Sequence, residues 1–357
     1  MNISEILLYI VSFIVMMSII VIVHEWGHFF TARKFDVYCG EFSIGMGPLI
    51  WKKQGKETQY SLRALPIGGY VSMAGEVDDT KKDTEVPYER TIPGLIWWKK
   101  ILVMLAGIFM NVVLAWVIFI SVFAIQGYAV VQKDNYTIGG FTENSVAEAA
   151  GFKTGDVITK IVFANGEVFK IDNGDDLSTA IAFNPKEVAT FTVKRDGETL
   201  QIKATPKYNK DTESYLLGVT SKVYTKKINA VQAIGYGTKE LGDNAQLIFT
   251  SLGRILQGKN LNQLSGPVGI VKISGKAASN GFMTWLRLLA ILSVNVGIFN
   301  LLPLPILDGG RALITLIERI FKRTLNERVM EVIMYIGVFA LVILLAFATF
   351  NDIGRLF

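Results

Sequence analysis

The stretch Val21-Ile-Val-His24-Glu25-Trp-Gly-His28-Phe29 closes the first apolar run of a 357-residue chain. His24 and His28 are the only histidines of the sequence, and Glu25 stands beside the first of them. Residues four apart lie on one face of an α-helix, so both imidazoles can bind one Zn²⁺ ion while the glutamate acts as general base. Ionisable side chains are costly in an apolar segment and usually serve a function there. The stretch therefore predicts a zinc site with His24 and His28 as ligands and Glu25 as the catalytic base.

The composition is that of a membrane protein. Hydrophobic residues make up 51% of the chain, which is high for a soluble protein. The net charge of +5 is concentrated next to apolar runs, so it predicts contact with a lipid bilayer and no nucleic-acid partner. Cys39 is the only cysteine, which excludes an internal disulfide and a cysteine-rich zinc site. A third zinc ligand must then be a carboxylate.

Four runs without charged residues are long enough to cross a bilayer, which takes about 20 apolar residues. They are Ile6–Val23, Ile101–Ile125, Leu288–Leu307 and Val332–Phe350. No Lys or Arg precedes Arg33, so the first run lacks the basic start of a signal peptide and is interpreted as a retained transmembrane helix.

The distribution of Lys and Arg predicts the orientation of these helices. Residues 1–23 carry none, residues 31–100 carry eleven, and residues 311–329 carry five. Segments 31–100 and 311–330 are therefore expected on the cytoplasmic side. Both termini and the long segment between the second and third runs are expected outside.

The remaining segments are predicted to contain β-structure. Short alternating stretches broken by Gly and Pro within residues 31–100 predict small hairpins lying against the membrane. Residues 128–205 alternate like strands, and Asp196-Gly197 predicts a two-residue turn between two of them. Ser145 to Ile158 resembles the signature of a PDZ domain, which implies a groove where a peptide adds a strand. A mere spacer domain is the alternative.

Asp308 is the candidate third ligand. The third run ends in Asn300-Leu-Leu-Pro303-Leu-Pro305-Ile-Leu-Asp308-Gly-Gly, where the prolines must end the helix. Pro, Asp and Gly also form ordinary turns, so a plain helix exit is the alternative. The first and third helices both run inward and reach their polar residues after about 20 apolar ones, so Asp308 is expected at the depth of His24 and His28.

Together these features predict a polytopic α-helical membrane protein with four transmembrane helices, membrane-associated β-hairpins and one extracytoplasmic PDZ-like α+β domain. The expected divisions are 1–30, 31–100, 101–125, 126–210 for the PDZ-like domain, 211–282 for an extracytoplasmic amphipathic segment, 283–310, 311–330 for a cytoplasmic loop, and 331–350.

The two metal motifs, the PDZ-like insert and the stretches Ser43–Pro48, Pro66–Tyr70 and Ser265–Ile270 resemble the site-two protease family of intramembrane zinc metalloproteases. The resemblance covers nearly the whole chain and is closest to members with a single PDZ domain. It implies regulated intramembrane proteolysis in a bacterial cell membrane, with the active site near the cytoplasmic side. The implied substrates are single-pass membrane proteins, such as anti-sigma factors, and signal-peptide remnants or pheromone precursors.

The substrate must unwind before cleavage, because the carbonyls of a helix are already hydrogen-bonded. The strand-like residues Gly68, Gly69 and Tyr70 are candidates to hold the unwound segment by strand addition. Asn300 and Pro303 are further candidates for substrate binding, Asn300 through its side-chain amide.

Three other interpretations remain open at this stage. The first is a zinc protease that is merely anchored to the membrane. The second is a non-catalytic multi-pass scaffold that captures peptides through its PDZ-like module. The third is a metal transporter, which would need polar residues along a path through several helices.

Overall fold

The computed structural model describes residues 2–76, 86–131, 136–209, 214–222, 224–258, 265–323 and 326–354. The chain divides into two compact units, one of Met1–Ile125 with Ala230–Phe357 and the other of Gln126–Asn229.

The helices and strands follow one another in this order. The chain begins with α1 (Ile3–Lys34), β1 (Cys39–Gln54), β2 (Gln59–Met73), a 3-10 turn (Tyr88–Arg90) and α2 (Trp97–Gln126). The second unit contains β3 (Tyr128–Val131), β4 (Tyr136–Phe141), α3 (Val146–Ala149), β5 (Val157–Phe163), β6 (Val168–Lys170), α4 (Gly174–Phe183), β7 (Ala189–Arg195), β8 (Glu198–Ala204), β9 (Lys207–Asn209), β10 (Ser214–Leu216), β11 (Val219–Ser221) and β12 (Tyr224–Lys227). The chain then forms α5 (Ala230–Leu256), α6 (Pro267–Ser279), α7 (Phe282–Asn300), α8 (Asp308–Phe321) and α9 (Glu327–Gly354).

Among the described residues, α1, α2, α7 and α9 are long and apolar enough to cross a membrane. This confirms the prediction of four apolar helices. The third begins earlier than predicted, at Phe282, and ends at Asn300 instead of continuing to Leu307. Pro303 and Pro305 lie in the turn that follows, because proline cannot donate the backbone hydrogen bond that would continue the helix.

The prediction of a cytoplasmic loop over 311–330 is wrong for its first part, because α8 occupies residues 308–321. Ala312 and Thr315 are buried on one face of this helix, while Ile320 and Phe321 are exposed. The basic residues of this segment suggested a loop. The spacing of its apolar residues, however, is that of an amphipathic helix lying along a surface.

The strands β1 and β2 form one long, bent pair instead of several small hairpins. Glu41 is paired with both Ser72 and Gln59, so the first half of β1 lies between the two halves of β2. Residues 41–44 of β1 pair with residues 59–62 of β2. The second half of β1 pairs with residues 59–63. Gly45, Gly47 and Gly68 adopt positive φ angles, which lets the strands bend back on themselves where other residues would be strained.

The second unit is built on a sheet with strand order β11-β4-β5-β7-β8, and β6 pairs with β5. Its core includes Ile138, Ile158, Ile161 and Phe191, all fully buried. The predicted turn is confirmed, since Asp196 and Gly197 have positive φ and join β7 to β8. The unit runs to Asn229 rather than to residue 210, because β11 pairs with β4 and β12 with β3.

Candidate metal centre and active site

Helix α1 carries His24 and His28 on its buried face. Gly27, between them, lies against helix α2, and a Cβ there would be 2.5 Å from the backbone oxygen of Ala106. The glycine thus permits a close approach of the two helices. The Nε2 atoms of the two histidines are 3.1 Å apart.

Asp308 meets the histidines from the start of α8. Its Oδ2 atom lies 3.0 Å from Nε2 of His24 and 3.4 Å from Nε2 of His28. The turn after α7 folds back over the beginning of α8, so that a side chain on Gly309 would overlap the backbone of Leu301. The glycine therefore allows the tight turn that brings the carboxylate to the histidines.

The three ligand atoms fit a zinc ion. All lie within 4.8 Å of one another. Ligand atoms about 2.0–2.2 Å from a tetrahedral Zn²⁺ are separated by about 3.3–3.6 Å, close to the observed spacing. Two neutral imidazoles and one carboxylate are also a ligand set found in catalytic zinc sites, where the fourth position is left to water or substrate.

Helix α2 faces both histidines along one stripe. The backbone oxygen of Val103 accepts a hydrogen bond from Nδ1 of His28 at 2.8 Å. One turn later, a Cβ on Gly107 would collide with Nε2 of His28 and lie 2.7 Å from Nε2 of His24. One turn further, the amide of Asn111 lies 3.2 Å from Nδ1 of His24. Sequence analysis missed this stripe, although its spacing of four residues is a signal of one helix face.

Glu25 is half-buried and turned toward the sheet. Its carboxylate accepts a hydrogen bond from the backbone N–H of Val71 in β2. The segment predicted to hold substrate, Gly68 to Tyr70, comes immediately before this contact. Gly69 is buried, and a Cβ there would lie 2.7 Å from the backbone oxygen of Ser43.

The other predicted substrate residues are placed as follows. Tyr70 is half-buried beneath the guanidinium of Arg63, whose Cζ is 5.4 Å from the ring centroid. Burial, together with the hydrogen bond to Glu41, raises the pKa of Tyr70 to about 12, so the phenol stays protonated. Asn300 is the last residue of α7, and Pro303 is exposed in the following turn.

An ion pair between Glu76 and Arg311 was also missed. Nη1 of Arg311 lies 3.1 Å from Oε1 of Glu76. The pair joins the chain just after β2 to the first turn of α8, three residues beyond Asp308. It links the sheet beside Glu25 to the helix that carries the carboxylate.

Comparisons with known proteins agree with this geometry. The profile described as peptidase family M50 matches residues 12–344. The chain belongs to peptidase family M50. It is 31% identical to the regulator of sigma-W protease RasP of Bacillus subtilis, with 98% of this chain and 99% of the relative covered. It is 34% identical to a protein named as a candidate zinc metalloprotease in Clostridium acetobutylicum, with 96% and 97% covered. The zinc metalloprotease RasP of Shouchella clausii is 31% identical, with 98% and 99% covered.

The family settles the kind of protein. This M50 peptidase is an intramembrane zinc metalloprotease of regulated intramembrane proteolysis, and the resemblance to the site-two protease family is confirmed. Zinc as cofactor is confirmed as well. Membership of this family supports the interpretation as an enzyme and argues against a non-catalytic scaffold and a metal transporter. The four apolar helices make it a membrane protein.

Proposed function

We propose that His24, His28 and Asp308 hold the catalytic zinc and that Glu25 is the general base. The observation that carries this proposal is the convergence of two imidazole nitrogens and one carboxylate oxygen within 4.8 Å. The ligands come from α1 and from the start of α8, far apart in sequence. Glu25 follows His24 directly, and a glutamate at this position of an H-E-x-x-H helix can act as the general base.

The chemistry is hydrolysis of a peptide bond. Zinc bound by these ligands supplies a Lewis acid that polarises the scissile carbonyl and makes water more acidic. Glu25 accepts a proton from the attacking water and then donates it to the leaving amine nitrogen. The N–H of Val71 holds the Glu25 carboxylate in place, which fixes the direction from which the proton is taken.

The substrate is proposed to be a transmembrane segment of a single-pass membrane protein or a signal-peptide remnant. The name of the Bacillus relative refers to regulation of sigma-W, which favours membrane-bound regulators, such as anti-sigma factors, among the substrates. Residues Gly68 to Tyr70 would hold the unwound segment by strand addition. Supporting this, residues 69–73 pair with 39–44 as an outer strand of the β1-β2 sheet within the described residues. Asn300 and Pro303 are proposed to contact the same substrate from the end of α7.

The proposed orientation places both termini outside the bacterial cell membrane and the active site near its cytoplasmic side. Eleven basic residues in 31–100 and five in 311–329 support it. The unit Gln126–Asn229 is then extracytoplasmic. We propose the same side for the amphipathic helix α5, whose residues Leu241, Ile248 and Leu252 pack in one core cluster with residues of α1, α2 and α7.

We infer that the Gln126–Asn229 unit is a PDZ-like peptide-binding module. Supporting this, β11 is an edge strand of its five-strand path and follows the turn at Gly218. An edge strand offers unpaired backbone groups to an added peptide strand. Calorimetric titration of the intact protein with peptides ending in apolar residues tests this, and binding that survives a Val219→Pro change would contradict it.

Comparative membrane proteomics tests the proposed function. Cells carrying the wild type and cells carrying Glu25→Gln are compared for membrane stubs. Stubs of single-pass proteins or signal peptides should accumulate only with Glu25→Gln. Purified enzyme should also cut a designed substrate with Gly or Pro in its helix faster than one with a rigid poly-Leu helix. Equal rates would contradict the unwinding step.

A further inference from the structure

The hydrogen-bond partners of the two imidazoles are not equivalent. Nδ1 of His28 faces the backbone oxygen of Val103, which can only accept a hydrogen bond. Nδ1 of His24 lies 3.2 Å from Nδ2 of the Asn111 side chain. Asn111 is fully buried, and its Oδ1 atom has no hydrogen-bond partner among the described residues. A buried amide oxygen without a partner is costly and calls for an explanation.

Zinc binding supplies that explanation. The Nε2 atoms of both rings face Asp308, so these nitrogens must use their lone pairs for the metal. The hydrogen of each neutral imidazole then sits on Nδ1, which becomes a donor. At His28 the Val103 carbonyl accepts it. At His24 the same role requires an acceptor, and the amide oxygen of Asn111 is the group that can supply one.

The required change is small. The oxygen and nitrogen of an amide occupy nearly the same space, so a half-turn of the Asn111 amide places Oδ1 against Nδ1 of His24. The turn breaks no hydrogen bond of Oδ1 within the described part of the chain, because Oδ1 has none there. The backbone of Asn111 is held independently, since Oγ of Ser293 donates to its carbonyl at 2.8 Å.

We propose that Asn111 is a positioning residue of the metal centre. Its amide oxygen accepts the Nδ1 hydrogen of His24 and thereby selects the tautomer in which Nε2 binds zinc. Val103 does the same for His28, so one face of α2 sets the state of both histidine ligands. Such partners fix the ring orientation and increase the basicity of the ligand nitrogen. The inference rests on the proposed zinc ligands.

Zinc affinity tests the role of Asn111 without measuring cleavage. Asn111→Leu keeps the approximate shape of the side chain but removes the acceptor, whereas Asn111→Asp keeps an acceptor oxygen. Competition with a chromophoric chelator should show affinity about 10–100-fold weaker for Asn111→Leu and close to wild type for Asn111→Asp. Ser12→Ala is the matched control, because it removes a buried hydroxyl of α1 that donates to the backbone oxygen of Ser274, three turns before His24 and away from Asn111. It should bind zinc like the wild type.

Nitrogen NMR gives a second readout on the unmodified protein. The chain has only two histidines, so ¹⁵N-histidine labelling with a histidine-free purification tag yields four ring signals. The zinc-loaded wild type should show both Nδ1 atoms protonated and both Nε2 atoms bound to metal. This measurement decides the question even if Asn111→Leu does not fold.

The possible results are distinct. Binding of His24 through Nδ1, or wild-type zinc affinity in Asn111→Leu, would overturn the role of Asn111 and leave the metal centre standing. Failure of the wild type to bind zinc would overturn the metal centre itself.

Discussion

The backbone N–H of Val71 donates a hydrogen bond to the carboxylate of Glu25. This contact joins the predicted base on α1 to the strand β2 whose preceding residues are proposed to hold the substrate. On the proposed function, the same strand would therefore set the position of the base and the path of the substrate backbone.

Glu25→Asp tests the value of that contact. The shorter side chain withdraws its carboxylate from Val71 while keeping its charge, and a displacement of about 1 Å in a catalytic group can cost about 100-fold in rate. We expect kcat to fall by about that factor with zinc content unchanged. The readout is cleavage of a purified transmembrane substrate together with elemental analysis. Wild-type kcat would show that the contact does not matter.

Gly107 is predicted to be essential for the metal centre. A Cβ at this position meets the ring nitrogens of His24 and His28, so Gly107→Ala must displace them. Zinc affinity should fall at least about 10-fold. Gly242→Ala in α5 is the control, because a Cβ there has no neighbour within 4 Å among the described residues. Equal zinc affinity of the two variants would contradict the close packing of α2 on α1.

The second unit should depend on one ion pair. Nε of Arg195 lies 2.7 Å from Oδ1 of Asp156, whose side chain is 1% exposed. Burial raises the pKa of Asp156, but hydrogen bonds from Arg195 and from the backbone N–H of Lys153 outweigh it and hold the pKa below its usual range. The pair therefore stabilises the fold at neutral pH. That stability is lost as pH falls from about 4 through the lowered pKa.

Asp156→Asn should accordingly destabilise this unit at neutral pH, since the half-buried guanidinium of Arg195 loses its charged partner and keeps only its hydrogen bond to the backbone oxygen of Gly151. Hydrogen exchange of strand β5 in the intact protein is the measurement. Below about pH 4, the wild type should approach the variant. A constant difference between them at all pH values would contradict the assignment.

Asp352 near the end of α9 is predicted to stabilise the start of α6. Its Oδ2 atom accepts the backbone N–H of Gly269 at 2.7 Å. This is a capping hydrogen bond supplied by another helix, and losing a cap costs about 1 kcal/mol. Asp352→Leu should speed amide exchange at Gly269 and its neighbours. Thr349→Ala, which alters a hydroxyl bonded within α9, should not. Equal exchange in both variants would reject the capping role.

Sequence was sufficient where function is carried by local spacing or by chain length. The spacing of four residues from His24 to His28 fixes their common face, and the length of the apolar runs predicted Asp308 at the same depth. The contacts of Asn111 and Gly107 could not be predicted from the sequence, because they depend on how α2 is rotated against α1. The double pairing of Glu41 was equally hidden, since the alternation of β1 does not say which half of β2 lies on which side. Helix α8 was missed because its basic residues were given more weight than its apolar spacing.

The central claim is that His24, His28 and Asp308 together hold one zinc ion. Elemental analysis of the purified wild type, Glu25→Gln and Asp308→Ala, after equal dialysis against a weak chelator, tests it most directly. We predict one zinc per chain in the wild type and in Glu25→Gln, and a large loss of zinc in Asp308→Ala. Full zinc occupancy in Asp308→Ala would contradict the claim.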